Sequence, residues 1–253
     1  MKYPILLMTA AAVGALACSD TPTALEQRGG VVVSFSTQAP ASPVPAAWLG
    51  LGALLNDTVT SGSDTLVITS VELVLRQIEL KAAETADCDV DPEPAGCEDI
   101  AVGPVLVDLP LTPGAQQEFE IDVTTGTYSR IDFEIHKVSS DDPADAAFRQ
   151  AHPDLVEKSI RALGTFNGVA FTYENDISVE QELPLIPALV VTEGSSLNVT
   201  ILVDVSTWFV ADDGSLIDPA TANEGGQNKS DVDANVQDSF DAFEDDDRDG
   251  SED

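Results

Sequence analysis

Apolar and polar residues alternate along most of this chain, in short runs separated by turn residues. Val31-Val32-Val33-Ser34-Phe35-Ser36 follows a Gly-Gly pair and reads as a strand. Thr65 to Leu80 (TLVITSVELVLRQIEL) is long and β-branched. Its alternation changes phase near Ser70-Val71 and again near Arg76, which predicts a bulge or two short strands. Val105 to Leu111 (VLVDLPL) is a strand punctuated by Pro110 and followed by Pro113. Leu197 to Val205 (LNVTILVDV) alternates cleanly and runs into Trp208-Phe209.

Two hairpins follow from the same pattern. Glu118 to Val123 and Tyr128 to His136 flank Thr124-Thr125-Gly126-Thr127, with Phe119, Ile121, Val123, Ile131, Phe133 and Ile135 as the buried set. With Ile121 facing Ile131, Asp122 would meet Arg130 and Glu120 would meet Asp132 across the strands. Directly opposed carboxylates destabilise a sheet unless a cation bridges them or solvent and salt screen them. The second hairpin turns at Asn167-Gly168, the preferred type I′ pair. Two-residue closure puts Gly164 opposite Phe171 and Arg161 opposite Glu174, an aromatic over a glycine and a pair of opposite charges.

Helical periodicity is scarce. Pro143 to His152 fits one short helix. Ser230 to Glu244 places Val232, Val236, Phe240 and Phe243 on one stripe behind Ser230 as N-cap. Many short strands and few helices predict an all-β fold, an antiparallel β-sandwich with few short helices and an acidic C-terminal helix and tail. The domains expected are a signal peptide over 1–17, a lipidated linker over 18–28, the sandwich over 29–210 and an acidic extension over 211–253.

The start of the chain carries the strongest address. Met1-Lys2 is a minimal basic region, and Ile5 to Ala17 is uncharged and too short to be a spanning helix. It ends in Gly14-Ala15-Leu16-Ala17-Cys18, which resembles a lipobox. The resemblance implies cleavage before Cys18 and acyl chains on its thiol and amine, two or more of which anchor a protein stably. Ser19 stands where an aspartate retains lipoproteins in the inner membrane of enteric bacteria, so the expected place is the outer membrane of a bacterial envelope. Cys88 and Cys97 share one Pro- and Asp-rich loop, and an exported protein is expected to join them in a local disulfide.

The formal net charge is −34. Nucleic-acid binding needs a basic footprint and is excluded as an expectation, leaving the membrane, through the lipid, and a protein or glycan as partners. One spacing carries a mechanism: Asp245-x-Asp247-x-Asp249-Gly250-x-x-Asp253 sets oxygen donors at alternate positions before a turn glycine. This resembles the calcium loops of EF-hands and thrombospondin type 3 repeats, although the chain stops before the position of the usual bidentate glutamate. The competing reading is a disordered acidic terminus that matches the pattern by chance. His136 and His152 with Asp141 and Asp142 lack the grouping of a transition-metal site. No GxSxG occurs, and no catalytic residue is singled out.

Four segments are similar to the bacterial family catalogued as domain of unknown function 4382: TLVITSVELVLRQIEL, VLVDLPL, GTYSRIDFEI (126–135) and VDVSTWF (203–209). That resemblance implies a β-rich, exported or lipid-anchored protein and supplies no mechanism. The reading is therefore a lipid-anchored, non-enzymatic binding or structural module, with calcium as the one candidate cofactor. The alternative is an envelope carbohydrate-active hydrolase using surface carboxylates.

Overall fold

The computed structural model describes residues 27–37, 57–82, 97–101, 103–112 and 114–252. The expected signal peptide, Cys18, Cys88 and Asp253 lie outside these residues, and with them the expected anchor, one half of the expected disulfide and the last expected acidic ligand. Cys97 is the first residue of a strand, β4.

Two sheets pack face to face, and the fold is the expected β-sandwich. The first holds β12 (Phe240–Glu244), β11 (Ser196–Val203), β1 (Arg28–Thr37) and β6 (Gln116–Thr124), in that order. The β1–β11 pair is parallel, while its flanking pairs are antiparallel. The second runs β10 (Val179–Val191), β7 (Gly126–Ile135), β3 (Asp64–Ala82), β8 (Ile160–Phe166), β9 (Val169–Asn175). Three shorter strands also pair with β3: β2 (Asp57–Ser61), β4 (Cys97–Ala101) and β5 (Val105–Asp108).

β3 is the spine of the second sheet, and its phase changes are bulges in one continuous strand. Its register against β8 shifts between Ile68 and Ser70, and against β7 between Arg76 and Glu79. Each bulge adds a residue, so the core-facing series runs Leu66, Ile68, then Val71, Leu73, Leu75, then Ile78, Leu80, all buried. A strict period of two would have turned half of these into solvent. Gln77 takes a left-handed φ of 49° at the second bulge.

The Asn167-Gly168 hairpin forms as expected. Both residues have positive φ, 52° and 78°, and Phe166 pairs with Val169, Gly164 with Phe171 and Arg161 with Glu174. The expected charge pair does not form within the hairpin. Arg161 turns to Glu72, its partner on β3, and to Asp154, while Glu174 reaches Lys158.

The other expected hairpin is corrected. β6 pairs with β1 in the first sheet, and β7 pairs with β3 and β10 in the second. The chain crosses between sheets at Thr124–Gly126, where the Tyr128 hydroxyl donates to the Thr124 carbonyl at 2.9 Å. Val123, Ile131, Phe133 and Ile135 are buried as expected, from opposite sides of one core. The Asp122–Arg130 and Glu120–Asp132 pairs therefore do not exist, because the two strands are not neighbours.

The helix expected over 230–244 is also shortened. α1 (Ala146–Ala151) lies within the expected 143–152 helix, while α2 (Lys229–Gln237) starts after Asn228, not Ser230, and ends at Gln237. Val232 and Val236 are buried in the core. Phe240 and Phe243 belong to β12, opposite Val203 and Thr200 of β11. A stripe at spacing four then three fits a helix, but the open edge of β11 offers backbone bonds that a further helical turn would forgo.

Candidate functional site

Where β1 meets β11, the outer face of the first sheet carries buried polar side chains, because the C-terminal chain lies across it. Ser34 of β1 and Asn198 and Thr200 of β11 are 0%, 2% and 0% exposed. A burial of that kind requires partners for every polar group. Ser34 Oγ donates to Asn198 Oδ1 at 2.7 Å. Asn198 Nδ2 donates to Thr200 Oγ1 at 2.9 Å and to the Asp245 carbonyl at 2.8 Å. Thr200 Oγ1 donates to Asp245 Oδ2 at 2.8 Å. The ladder of β12 continues one step further, with the Asp245 N–H on the Asn198 carbonyl.

Asp245 is fully buried and organises the turn that follows it. Its Oδ1 accepts the Asp249 N–H and its Oδ2 accepts the Gly250 N–H, both at 3.1 Å. Asp247 Oδ1 also accepts from Asp249 N–H, at 3.2 Å. The turn needs left-handed backbone at Arg248 (φ 59°) and Gly250 (φ 87°). A Cβ on Gly250 would also stand 2.8 Å from Ser36 Oγ. The Arg248 carbonyl accepts from the Ala115 N–H at 3.2 Å, which ties the turn to the chain entering β6.

This geometry brings three of the four predicted ligands together. One carboxylate oxygen from each of Asp245, Asp247 and Asp249 lies within 4.8 Å of the others. Asp247 and Asp249 are exposed, so the cluster has one buried and two open members. Three hard anionic oxygens beside a tight turn suit a hard cation such as calcium. Asn198 and Thr200, which hold Asp245 in place, are not marked by the sequence as site residues. Alternation puts them on the face away from the core, where polar residues read as solvent-facing. What covers Asn198 comes from 47 positions later.

The acidic strip expected around β7 exists with other partners. On the outer face of the second sheet Asp132 lies between Glu79 of β3 and Glu182 of β10. Lys81 Nζ sits 2.9 Å from Asp132 and 3.5 Å from Glu79, and Arg130 bridges Asp132 (2.7 Å) and Glu182 (3.2 Å). Opposed carboxylates are thus joined by this protein's own cations. Burial works against the charge on Lys81, but the Asp132 and Glu79 carboxylates outweigh it and raise the ammonium above its ordinary pKa. A polar recess of about 260 Å³ lies over Gln77, Glu79, Lys81, Asp132, Glu134 and Glu180.

The histidines do not share a site. His136 Nδ1 lies 2.9 Å from Ser178 Oγ and 3.1 Å from Glu134. The His152 ring packs on Phe148 with centroids 4.7 Å apart. Asp142 caps the Ala144 N–H, and Asp141 takes the Ser139 hydroxyl. Among the described residues, Asp245, Asp247 and Asp249 alone form a metal-ligand group of three.

One buried ion pair has no sequence signal. Asp145, fully buried at the start of α1, accepts from Arg76 at 2.6 Å and from the Ser139 N–H at 2.8 Å. Burial pushes its carboxyl up, and the Arg76 and Ser139 donors together pull it below the usual carboxylate range.

No family model and no curated protein matches the chain. Among solved structures, MbnP from Methylosinus trichosporium is similar at 13% identity and a TM-score of 0.40, over 86% of this chain and 99% of that one.

Proposed function

We propose that this protein is a lipid-anchored, non-enzymatic binding or structural module of the bacterial envelope, stiffened by calcium at its C-terminal turn. The observation that carries the calcium assignment is the convergence of Asp245, Asp247 and Asp249 on a turn already docked to the sheet by Thr200 and Asn198. The anchor rests on the Leu16-Ala17-Cys18 motif, and the short polar stretch from Ser19 to Gln27 separates Cys18 from β1. The four segments similar to the domain of unknown function 4382 family agree with export and supply no chemistry.

Among the described residues the candidate ligand group is three aspartates, two of them exposed. Such a turn should bind calcium in the range of extracellular modules, with Kd of roughly 10⁻⁴ to 10⁻³ M. That range matters where calcium is plentiful, outside the cytoplasm. Thermal unfolding should shift upward as calcium is titrated and return with EDTA, and magnesium should do less. Asp247→Asn with Asp249→Asn should remove the shift while leaving the metal-free midpoint close to wild type, since both side chains are exposed. A midpoint indifferent to calcium, or equally responsive in the double variant, rejects the site.

The anchor is tested separately. Cys18→Ser should move the protein from the membrane fraction to the soluble fraction and block removal of the first 17 residues. Wild-type protein found soluble would reject the anchor and leave the calcium test untouched.

A further inference from the structure

We propose that the outer half of β9 is a docking edge for an extended basic peptide, which adds to the second sheet as a further strand. This supplies a partner class for the binding-module reading, on which it rests, and it is independent of the calcium.

β9 ends the second sheet, and its backbone direction can be read from its pairing. The two-residue turn makes Phe166–Val169 a bonded pair, so Val169, Phe171 and Tyr173 turn their peptide groups to β8. Ala170, Thr172 and Glu174 turn theirs outward. Asn223 confirms this alternation: its Oδ1 accepts the Glu174 N–H at 2.8 Å, and its Nδ2 donates to the Thr172 carbonyl at 3.3 Å. One side-chain amide thus imitates a strand along the lower half of the edge. Among the described residues the protection ends at the Thr172 carbonyl, and by the same alternation the Thr172 N–H and the N–H and C=O of Ala170 face outward.

A pocket of about 310 Å³ opens at that point, lined by Phe166, Val169, Ala170, Phe171, Asp218 and Ala220. Val169 is 71% exposed in a position that alternation assigns to the core side. A strand laid on β9 would turn alternate side chains into this pocket and the others to solvent, which is the geometry of peptide recognition by strand addition. Charge selects the occupant. Asp218 lines the pocket, and Asp64 is bonded to Asn167 beside it. Asp212 and Asp213 precede Gly214, whose carbonyl accepts from Ser61 at the neighbouring β2–β3 turn. Among the described residues, no lysine or arginine lines the pocket. Apolar residues alternating with lysine or arginine fit both the pocket and its rim.

The test uses the full chain with acetyl-Lys-Val-Lys-Val-Lys-amide, and its glutamate counterpart as control, read by residue-resolved amide hydrogen exchange. The lysine peptide should slow exchange at Ala170 and Thr172 at least tenfold, and the glutamate peptide should not. Ala170→Pro removes the outward N–H and spares the β8–β9 bonds, so it should abolish the protection at Thr172 with little change in thermal midpoint. If that variant fails to fold, Asp218→Asn with Asp64→Asn should weaken binding at least threefold. The first of these substitutions keeps a side-chain oxygen for the Ala220 N–H that Asp218 now accepts. Equal protection by both peptides, or none at Thr172, overturns the proposal. The Asp247→Asn, Asp249→Asn variant should bind the peptide as wild type does, which keeps this outcome distinct from failure of the calcium site.

Discussion

Asp245 keeps a carboxylate at zero exposure because three donors reach it: the Thr200 hydroxyl and the N–H groups of Asp249 and Gly250. Removing one of them leaves a buried acceptor short of a partner, at about 1–3 kcal/mol. Thr200→Val keeps the shape of the side chain and deletes the donor. It should lower stability by about 2 kcal/mol in chemical denaturation and weaken calcium, because the first ligand is no longer held. Tyr128→Phe probes the crossing between sheets in the same way. It removes the bond to Thr124 and keeps the ring, and about 1 kcal/mol of loss is expected. Gly168→Val isolates a backbone effect. Nothing lies within 4 Å of its missing Cβ, so the whole cost is the strain of a β-branched residue at a φ of 78°, about 2 kcal/mol. A wild-type midpoint for Gly168→Val would mean the turn has changed type.

At the scale of elements, local chemistry decided what the sequence made legible. The β8–β9 register is written in two residues, Asn167 and Gly168, and came out pair for pair. The bulges of β3 are visible because each moves the apolar series by one position. The β6–β7 pairing was not legible for a geometric reason. Two alternating strands joined by a short turn bury the same residues whether they lie side by side or face each other across a core. Only the turn distinguishes the two, and Thr124-Thr125-Gly126-Thr127 has no two-residue hairpin signature. Arg161 shows the same limit for side chains. A central strand has a neighbour on each side, and pairing rules within one hairpin cannot say which carboxylate wins. Of the C-terminal turn, the clustering of Asp245, Asp247 and Asp249 was legible from spacing, while the part played by Thr200 and Asn198 was not, since it depends on a segment far along the chain.

The Arg76–Asp145 pair fixes α1 to β3 and gives this element a pH dependence. The Asp145 carboxyl is held below its usual range in the folded protein. Its contribution is therefore complete above the unfolded carboxylate pKa, near 3.9, and is lost as pH falls through the lower folded value. Stability of wild type should fall on acidification below about pH 4. Asp145→Asn should lower stability by about 3 kcal/mol at neutral pH, because Arg76 is left without its charge partner in a largely buried place. The variant should also lose part of the acid limb, and urea titrations at neutral pH and near pH 3 check both effects. An unchanged slope with pH would show that Asp145 does not carry it.

At the scale of the whole molecule, the −34 charge acts on every state of the chain. Self-repulsion destabilises a compact acidic protein, and any added salt relieves it by shortening the Debye length to about 10 Å at 0.1 M. Calcium must therefore be told apart from screening, since both raise the midpoint. The two differ in form. Screening grows smoothly with ionic strength, works with sodium, and does not depend on two exposed aspartates. A site saturates: its stabilisation follows RT ln(1 + [Ca²⁺]/Kd), which at one hundred times Kd is about 2.7 kcal/mol. Sodium chloride should raise the midpoints of wild type and of Asp247→Asn, Asp249→Asn alike. Calcium added at constant ionic strength should raise only that of wild type. The part of the rise that survives in the double variant measures the repulsion, and the part that vanishes measures the turn. If calcium at constant ionic strength moves neither protein, the three aspartates act as hydrogen-bond acceptors that close the C-terminal turn against the outer face of the first sheet.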